Sequence, residues 1–208
     1  MPDPYASIAQ ADEALQKRLV DVLELRAADP QQRAMLNAYL SEIQLPSEAM
    51  VLEIGCGTGD TTLCHLPDPE KSLHEAWRIL RAGGWLAVFD GDYATTTVAI
   101  DAFDPLQSAV DAMVANFLHN PWLPRRLGPI LRSVGFVVTS LRSHGYTQTT
   151  DPQYMLTIVD RGADLLAGAG SMGADQAGAL KSEARRRAQA GAFFGHISYV
   201  SLIARKPS

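Results

Sequence analysis

The sequence of 208 residues has only two cysteines, Cys56 and Cys64. This number excludes a disulfide framework and a zinc site made of cysteines alone. No window approaches the ~20 consecutive apolar residues of a membrane-spanning helix, and the N-terminus has neither the basic nor the apolar region of a signal peptide. The net charge of -5 leaves no excess of positive charge for nucleic acid. We therefore expect a cytoplasmic protein that binds neither membranes nor nucleic acids.

The composition is that of an ordinary globular protein, with 47% hydrophobic and 20% charged residues. Such a chain is long enough for one sizeable core, so a single domain is expected. The one basic run, Arg185–Arg187, is interpreted as a solvated helix face. Cys64, His65 and His74 lie near one another in the sequence, but they lack the further ligands that a metal site needs, so no metal is expected.

Hydrophobic periodicity divides the chain into helices and strands. An apolar strand, a helix and a second apolar strand in this order predict a right-handed crossover and a parallel pair. The helices are predicted at 8–27, 30–44, Asp68–Leu80, Asp101–Leu118, Pro124–Val134, Asp151–Leu166 and Ala174–Gln189, and the strands at Met50–Ile54, Trp85–Asp90, Phe136–Leu141 and Phe193–Ala204.

The first predicted strand runs into a glycine-rich loop with the pattern E-x-G-x-G-x-G over residues 53–59. Glycines at this spacing let the backbone turn tightly and approach a ligand without interfering side chains. A dinucleotide-binding loop would need glycine or alanine at position 60, where this chain has Asp60, and a P-loop would need a following lysine. Both of these interpretations are disfavoured, and the loop predicts a ligand of another kind.

Together with a second motif, this loop resembles the class I S-adenosylmethionine-dependent methyltransferases, in particular the UbiE-like group (methyltransferase domain type 11). The segment LCHLPDPEKSLHEAWRILRAGGWLAVFD is similar to the part of that family that runs from just after the fourth strand to the fifth strand. LGPILRSVGFVVTS resembles the next helix and strand, and FFGHISYVSLIARKP resembles the terminal strand. Two separate motifs in the expected order make the resemblance specific.

The resemblance implies an α/β fold, with a Rossmann-like sheet, an antiparallel terminal strand, N-terminal helices and inserted cap helices. It implies one methyltransferase-like domain over residues 1–208. Within that domain it divides the chain into N-terminal cover helices (1–46), a core (47–148), inserted helices (149–191) and the terminal strand (192–208).

One departure from the family pattern is large. The two motifs adjoin near Asp60 and Thr61, where the family has two further βα units, on the order of 50–60 residues. Strands 2 to 4 of the family sheet, and the acidic residue that usually binds the ribose, have no counterpart in this sequence. Three explanations stay open: a segment that is present but not ordered, a segment lost from an otherwise ordinary enzyme, or a naturally shortened protein whose first strand pairs directly with the fifth.

For the function, the resemblance implies methyl transfer from S-adenosylmethionine to a small molecule by in-line displacement. Alignment and desolvation supply much of the rate of such a reaction. A general base is needed only where the acceptor loses a proton, so no fixed catalytic triad is expected. The residues assigned to the donor are Glu53, Gly55, Cys56, Gly57, Gly59, Thr62 and Leu63.

The acceptor pocket is expected to be formed after the fifth strand and by the inserted helices. Its candidate residues are Tyr5, Tyr93, Trp122, Tyr154 and Arg161, and the candidates for a catalytic group are Tyr93 and His119. Each has a structural alternative: Trp122 as a packing residue, Arg161 as a surface or salt-bridged residue, and His119 as a helix C-terminal residue that interacts with the dipole.

Two functions from other classes stay open. A truly shortened chain is expected to act as a non-catalytic binding or dimerising protein, because the exposed edge of its first strand favours association, including as a homodimer. A nicotinamide-dependent oxidoreductase is a weaker alternative, discounted by Asp60.

Overall fold

The computed structural model describes residues 12–43 and 63–208. The predicted strand Met50–Ile54, the glycine-rich loop and the junction near Asp60 lie outside the described residues. The three explanations for that junction, and the parallel pair predicted there, therefore stay untested. The division of the chain into cover, core, inserted and terminal segments also stays a prediction.

Seven α-helices, three β-strands and one 3-10 turn make up the described part of the chain. In chain order they are α1 (Glu13–Ala28), α2 (Pro30–Leu40), the 3-10 turn (Leu63–His65), α3 (Pro69–Ile79), β1 (Trp85–Thr97), α4 (Leu106–Phe117), α5 (Leu123–Val134), β2 (Val137–Gln148), α6 (Gln153–Gly168), α7 (Ala174–Gln189) and β3 (Gly195–Arg205).

Asp-Pro pairs set the start of two helices, at the positions where the predicted helices 30–44 and Asp68–Leu80 begin. Asp29 accepts hydrogen bonds from the N–H groups of Gln31 and Gln32 at the start of α2, and Asp68 accepts one from Lys71 at the start of α3. These side chains satisfy N–H groups that have no partner within the helix, while proline occupies the first turn, where no N–H is needed.

The predicted start of the fourth helix is wrong. The helix begins at Leu106 rather than Asp101, because Pro105 disfavours helical geometry at the residue before it. Asp104 accepts hydrogen bonds from the N–H groups of Ile100 and Leu106, which fixes a loop in place of a first turn. Phe103, which the longer predicted helix would include, is 94% exposed in this loop.

Two strands extend past their predicted ends. β1 continues from Asp90 to Thr97, and β2 continues from Leu141 to Gln148. The added residues are mostly polar, but both extensions pair with β3. Pairing in the sheet therefore outlasts the apolar runs on which the shorter predictions rested.

The sheet has the order β1-β3-β2, and β3 runs antiparallel to both neighbours. The prediction of an antiparallel terminal strand is therefore confirmed. Since β1 and β2 are both antiparallel to β3, they run in the same direction on either side of it. The chain is α/β, and its described strands form a single three-stranded sheet.

Helices cover the two faces of this sheet. Val88 and Leu202 point to one face, where they pack with residues of α3 and α5. Phe89 and Ile203, the next residues along the same strands, join the cluster that contains residues of α1, α2, α4, α6 and α7. The alternation follows from the two-residue period of a strand and gives three layers with the sheet in the middle.

The predicted solvated basic face holds for two of its three arginines. Arg185 and Arg186 are exposed and pair with Asp160 and Glu183. Arg187 is instead buried, and its guanidinium binds both carboxylate oxygens of Asp104. This ion pair joins α7 to the loop before α4.

Candidate functional site

The 3-10 turn that begins the second motif lies against β1. The backbone N–H of Cys64 donates to Asp90 Oδ2 at 2.9 Å, and the N–H of Gly91 donates to Asp90 Oδ1 at 2.8 Å. Asp90 is completely buried, and burial raises the pKa of its carboxyl against the opposing effect of these hydrogen bonds. A buried carboxylate thus holds the turn beside the middle of the strand.

The segment between α4 and α5 closes the other side of the turn. Asn120 donates its backbone N–H to Cys64 O at 2.9 Å and its side-chain Nδ2 to Leu66 O at 2.7 Å. Pro121 O accepts a hydrogen bond from the N–H of Ala94 in β1. Three pieces of chain therefore meet alongside the carboxyl half of β1, the region where open α/β sheets bind ligands.

A wide bulge interrupts β1 at this place. Asp92 pairs with Ser198 and Thr97 pairs with His196, so the four residues from Tyr93 to Thr96 lie opposite the single residue Ile197 of β3. Bulges of this kind redirect side chains and are common beside functional sites. Tyr93 lies in this bulge and is buried.

Asp92, in the same bulge, forms an ion pair with a half-exposed arginine. Arg125 Nε donates to Asp92 Oδ2 at 2.7 Å, and its guanidinium lies 4.2 Å from the centre of the Trp122 ring. Asp92 is 7% exposed and Trp122 is 53% exposed. Within residues 12–43 and 63–208, Asp92 Oδ1 and the hydroxyl of Thr96 are buried without a hydrogen-bond partner.

A cluster of tyrosines and one arginine lies on the other side of Tyr93, under α1 and α6. Arg26 Nη2 donates to the hydroxyl of Tyr199 at 3.2 Å, and its guanidinium lies over the rings of Tyr199 and Tyr154. Burial raises the pKa of the Tyr93 hydroxyl, and the neighbouring Tyr154 adds to the rise. The Tyr93 hydroxyl is therefore neutral at physiological pH.

The N-terminal helices are fixed to this cluster by polar contacts. Asp29 Oδ2 accepts a hydrogen bond from the Tyr146 hydroxyl at 2.8 Å, and burial, together with this bond, raises the pKa of Tyr146. Gln31 and Thr147 exchange two further hydrogen bonds. The junction between α1 and α2 is thus anchored on the end of β2.

Of the predicted acceptor residues, the structure brings two together. Tyr93 and Tyr154 belong to one buried cluster. Trp122 stands on the far side of the bulge against Arg125. His119 is exposed in the bend after α4, and the Arg161 guanidinium lies 5.6 Å from the Phe117 ring between α4 and α6.

Most of the predicted donor residues lie outside the described part of the chain. These are Glu53, Gly55, Cys56, Gly57, Gly59 and Thr62, together with Tyr5 of the acceptor set. Leu63 is described: it opens the 3-10 turn, is half-buried, and packs against the cluster that includes Leu73 and Leu123.

Sequence reasoning missed three residues of this region: Arg26, Asp92 and Arg125. Asp92 carried a usable signal, since it stands in the polar stretch Asp90-Gly91-Asp92 directly after an apolar strand. Arg26 and Arg125 carried none, because each contacts its partners through folding of distant segments.

The described ranges contain neither a metal-binding group nor a membrane-spanning helix. Between residues 12–43 and 63–208, no three His, Cys, Asp or Glu side chains come together as a group that could hold a metal ion. None of the helices in these two ranges has the length and apolar character needed to cross a membrane.

No family model matches the chain. An uncharacterised 37.1 kDa protein in transposon Tn4556 of Streptomyces fradiae is 27% identical over 88 residues. The match covers 42% of this chain and 26% of that protein, so the chain spans about a quarter of that relative's length.

Two solved structures align with most of the chain at low similarity. A candidate methyltransferase from Bacillus halodurans has 19% identity and a TM-score of 0.44, covering 72% of this chain and 68% of that one. The [4+2]-cyclase SpnF has 17% identity and a TM-score of 0.33, covering 71% of this chain and 47% of that one. Both TM-scores lie below 0.5, so neither structure sets the fold or activity of this chain.

Proposed function

We propose that this chain is an S-adenosylmethionine-dependent methyltransferase of the UbiE-like type that acts on a small molecule. The observation that carries the proposal is the folding of the second motif. Its LCH segment forms the 3-10 turn fixed to Asp90, its PDPEKSLHEAWRI segment contains α3, and its last residues enter β1. The antiparallel position of β3 agrees with the terminal strand that the resemblance implies.

The described residues provide one wall that suits such a donor. The turn from Leu63 to His65 lies alongside the carboxyl half of β1, and Asp90 holds its backbone in place. When bound, S-adenosylmethionine supplies a methyl group that is already activated on a sulfonium. The protein then needs to align the two reactants and exclude water, which a rigid turn between buried elements favours.

Tyr93 and Tyr154 support an acceptor site next to this wall. Both are buried in the cluster that Arg26 joins from the N-terminal helices, and Tyr93 lies in the bulge beside the turn. The ring of His65, in the turn itself, stands edge-on to the ring of Tyr93 at 6.4 Å. The two proposed halves of the site are therefore in direct ring contact.

Isothermal titration with S-adenosylmethionine and with S-adenosylhomocysteine tests the proposal. We expect both to bind the folded chain, and we expect Gly57→Val to abolish the heat while the circular dichroism spectrum stays unchanged. The same substitution at Gly178, an exposed helix position with open space around it, is the control for a general effect of the added side chain.

The absence of heat from the folded wild-type chain would overturn the proposal. A dimer in light scattering together with that result would favour the non-catalytic, dimerising protein. A change in NADH fluorescence on mixing would instead favour the oxidoreductase.

A further inference from the structure

Among the buried aspartates of the described residues, Asp92 is the one whose carboxylate is incompletely hydrogen-bonded. Three aspartates are buried there: Asp90, Asp92 and Asp104. Both oxygens of Asp90 accept backbone N–H groups, and both oxygens of Asp104 accept from the backbone and from Arg187. Asp92 uses only Oδ2, and within the described ranges its Oδ1 has no partner.

Leaving a buried oxygen unpaired is costly. An unsatisfied buried acceptor loses its hydrogen bonds to water without replacement, and the penalty is larger when the group is charged. The chain satisfies its two other buried aspartates fully, so the deficit at Asp92 is specific to the bulge of β1. A buried polar group without a partner calls for an explanation, and one explanation is a functional site at which a ligand completes it.

The contacts of Asp92 lead from the buried bulge to the protein surface. Its partner Arg125 is half exposed, and Arg125 is held only by Asp92 and by the face of the half-exposed Trp122 ring, among the contacts of the described residues. The side chain that binds Asp92 is thus a surface residue, and it occupies Oδ2 and leaves Oδ1 without a partner in the described ranges. The hydroxyl of Thr96, in the same bulge, is a second buried group without a partner in the described part of the chain.

We propose that Asp92 Oδ1 accepts a hydrogen bond from a hydroxyl or amino group of the methyl acceptor and so selects acceptors that carry such a group. The inference rests on the function proposed above. A carboxylate oxygen accepts hydrogen bonds and donates none, so the ligand group opposite it must be an O–H or an N–H. The Thr96 hydroxyl both donates and accepts, which suits the same class of ligand group.

The test compares two probes of similar size, phenol and anisole, which differ in whether the oxygen carries a hydrogen. Their dissociation constants are measured by isothermal titration in the presence of S-adenosylhomocysteine. A hydrogen bond to a charged group contributes about 1.5–3 kcal/mol, so wild-type protein should bind phenol roughly tenfold or more tighter than anisole.

Asp92→Asn keeps the shape of the side chain and an oxygen for Arg125 but turns an NH₂ group toward the proposed ligand. We expect it to lose the preference for phenol while retaining the affinity for S-adenosylhomocysteine. Asp111→Asn, an exposed change of the same charge, is the control and should leave the preference intact. A purely structural role for Asp92 would lower the stability of the variant without changing the ratio of the two dissociation constants.

Three results would overturn the inference: equal affinity of the wild type for both probes, no binding of phenol up to its solubility, or an unchanged preference in Asp92→Asn. The affinity for S-adenosylhomocysteine is read separately. Its loss in the wild type would refute the methyltransferase function, whereas its presence together with any of the three results would refute only the assignment of Asp92.

Discussion

Gln32 is a fully buried polar side chain whose amide is unsatisfied. It lies on the inner face of α2 with Met35 and Tyr39, and it is 2% exposed. Neither Nε2 nor Oε1 has a hydrogen-bond partner within the described part of the chain. We predict that Gln32→Met, which keeps the unbranched shape and removes both polar atoms, stabilises the protein.

The magnitude follows from the cost of burying unpaired polar atoms. Each unsatisfied group costs about 1–3 kcal/mol, and a methionine of similar length fills the same space without that cost. Some of the gain is lost to imperfect packing of the new side chain. We therefore expect a gain of about 1–3 kcal/mol, and each kcal/mol raises Tm by roughly 2–4 °C for a chain of this size.

Gln148 provides a matched control, because it is also buried but both polar atoms of its amide are hydrogen-bonded. Its Oε1 accepts from the backbone N–H of Met155 at 3.0 Å, and its Nε2 donates to Asp29 at 3.3 Å. That N–H lies in the first turn of α6, which begins after Pro152 without a side-chain cap of its own. Gln148→Met should therefore destabilise by about 1–3 kcal/mol, because the Met155 N–H loses its acceptor.

The assay is thermal and urea unfolding of the wild type and both variants. Opposite signs for the two substitutions are the expected result, with the urea m-value unchanged so that the difference reports stability alone. A lower Tm for Gln32→Met would refute the reasoning. It would mean that the Gln32 amide is hydrogen-bonded, to water or to residues outside the described ranges.

Further predictions concern the ion pair, a helix contact and the edge of the sheet. Asp104→Asn should cost about 3–5 kcal/mol in urea unfolding, because it leaves Arg187 buried without its counter-charge. Burial raises the pKa of Asp104, but the hydrogen bonds from Arg187 and the backbone outweigh this effect and lower the pKa overall. The stability that the ion pair contributes is therefore present above about pH 4 and is lost as the pH falls through the lowered pKa. The wild type should lose more stability on acidification than Asp104→Asn, and equal losses would contradict this prediction. Gly162→Ala should destabilise the protein by about 1–3 kcal/mol or more, because the new Cβ would lie 1.7 Å from the backbone O of Ala109. Gly178→Ala, at a helix position with open space around it, is the control and should stabilise the protein slightly. Similar Tm changes for both variants would count against the close contact of α4 and α6. If the predicted strand Met50–Ile54 pairs with β1, the backbone amides of β1 that point away from β3 should be as protected from hydrogen exchange as those bonded to β3. Fast exchange of these amides would argue against that pairing.

The sequence predicted the existence and type of each described helix and strand, and the errors lie at their ends. Local signals with a clear cause worked well, such as Asp29-Pro30 and Asp68-Pro69 at helix starts. The same signal at Asp104-Pro105 lay inside a predicted helix and would have corrected its start. The polar ends of β1 and β2 were missed because their partner β3 is distant in the chain, and pairing with it is not encoded in local periodicity.

The candidate site was predictable only where a residue follows a strand end or a family motif. Tyr93 meets the first condition and Leu63 the second. The environment of Tyr93 was not predictable, because Arg26 and Tyr199 come from the two ends of the chain and meet only after folding. Buried polar contacts between distant residues have no sequence pattern, and here they supply most of the chemistry around the bulge.

The burial of the two outer strands bears on the junction near Asp60. β2 has the exposed residues typical of a sheet edge, including Val137, Leu141 and Arg142. β1 is buried at every position from Val88 to Tyr93, on both faces, although β3 is the one strand paired with it in the described ranges. Continuous burial is characteristic of a strand inside a sheet rather than at its edge. We therefore expect a further strand beside β1, and which strand that is depends on which of the three explanations for the junction holds.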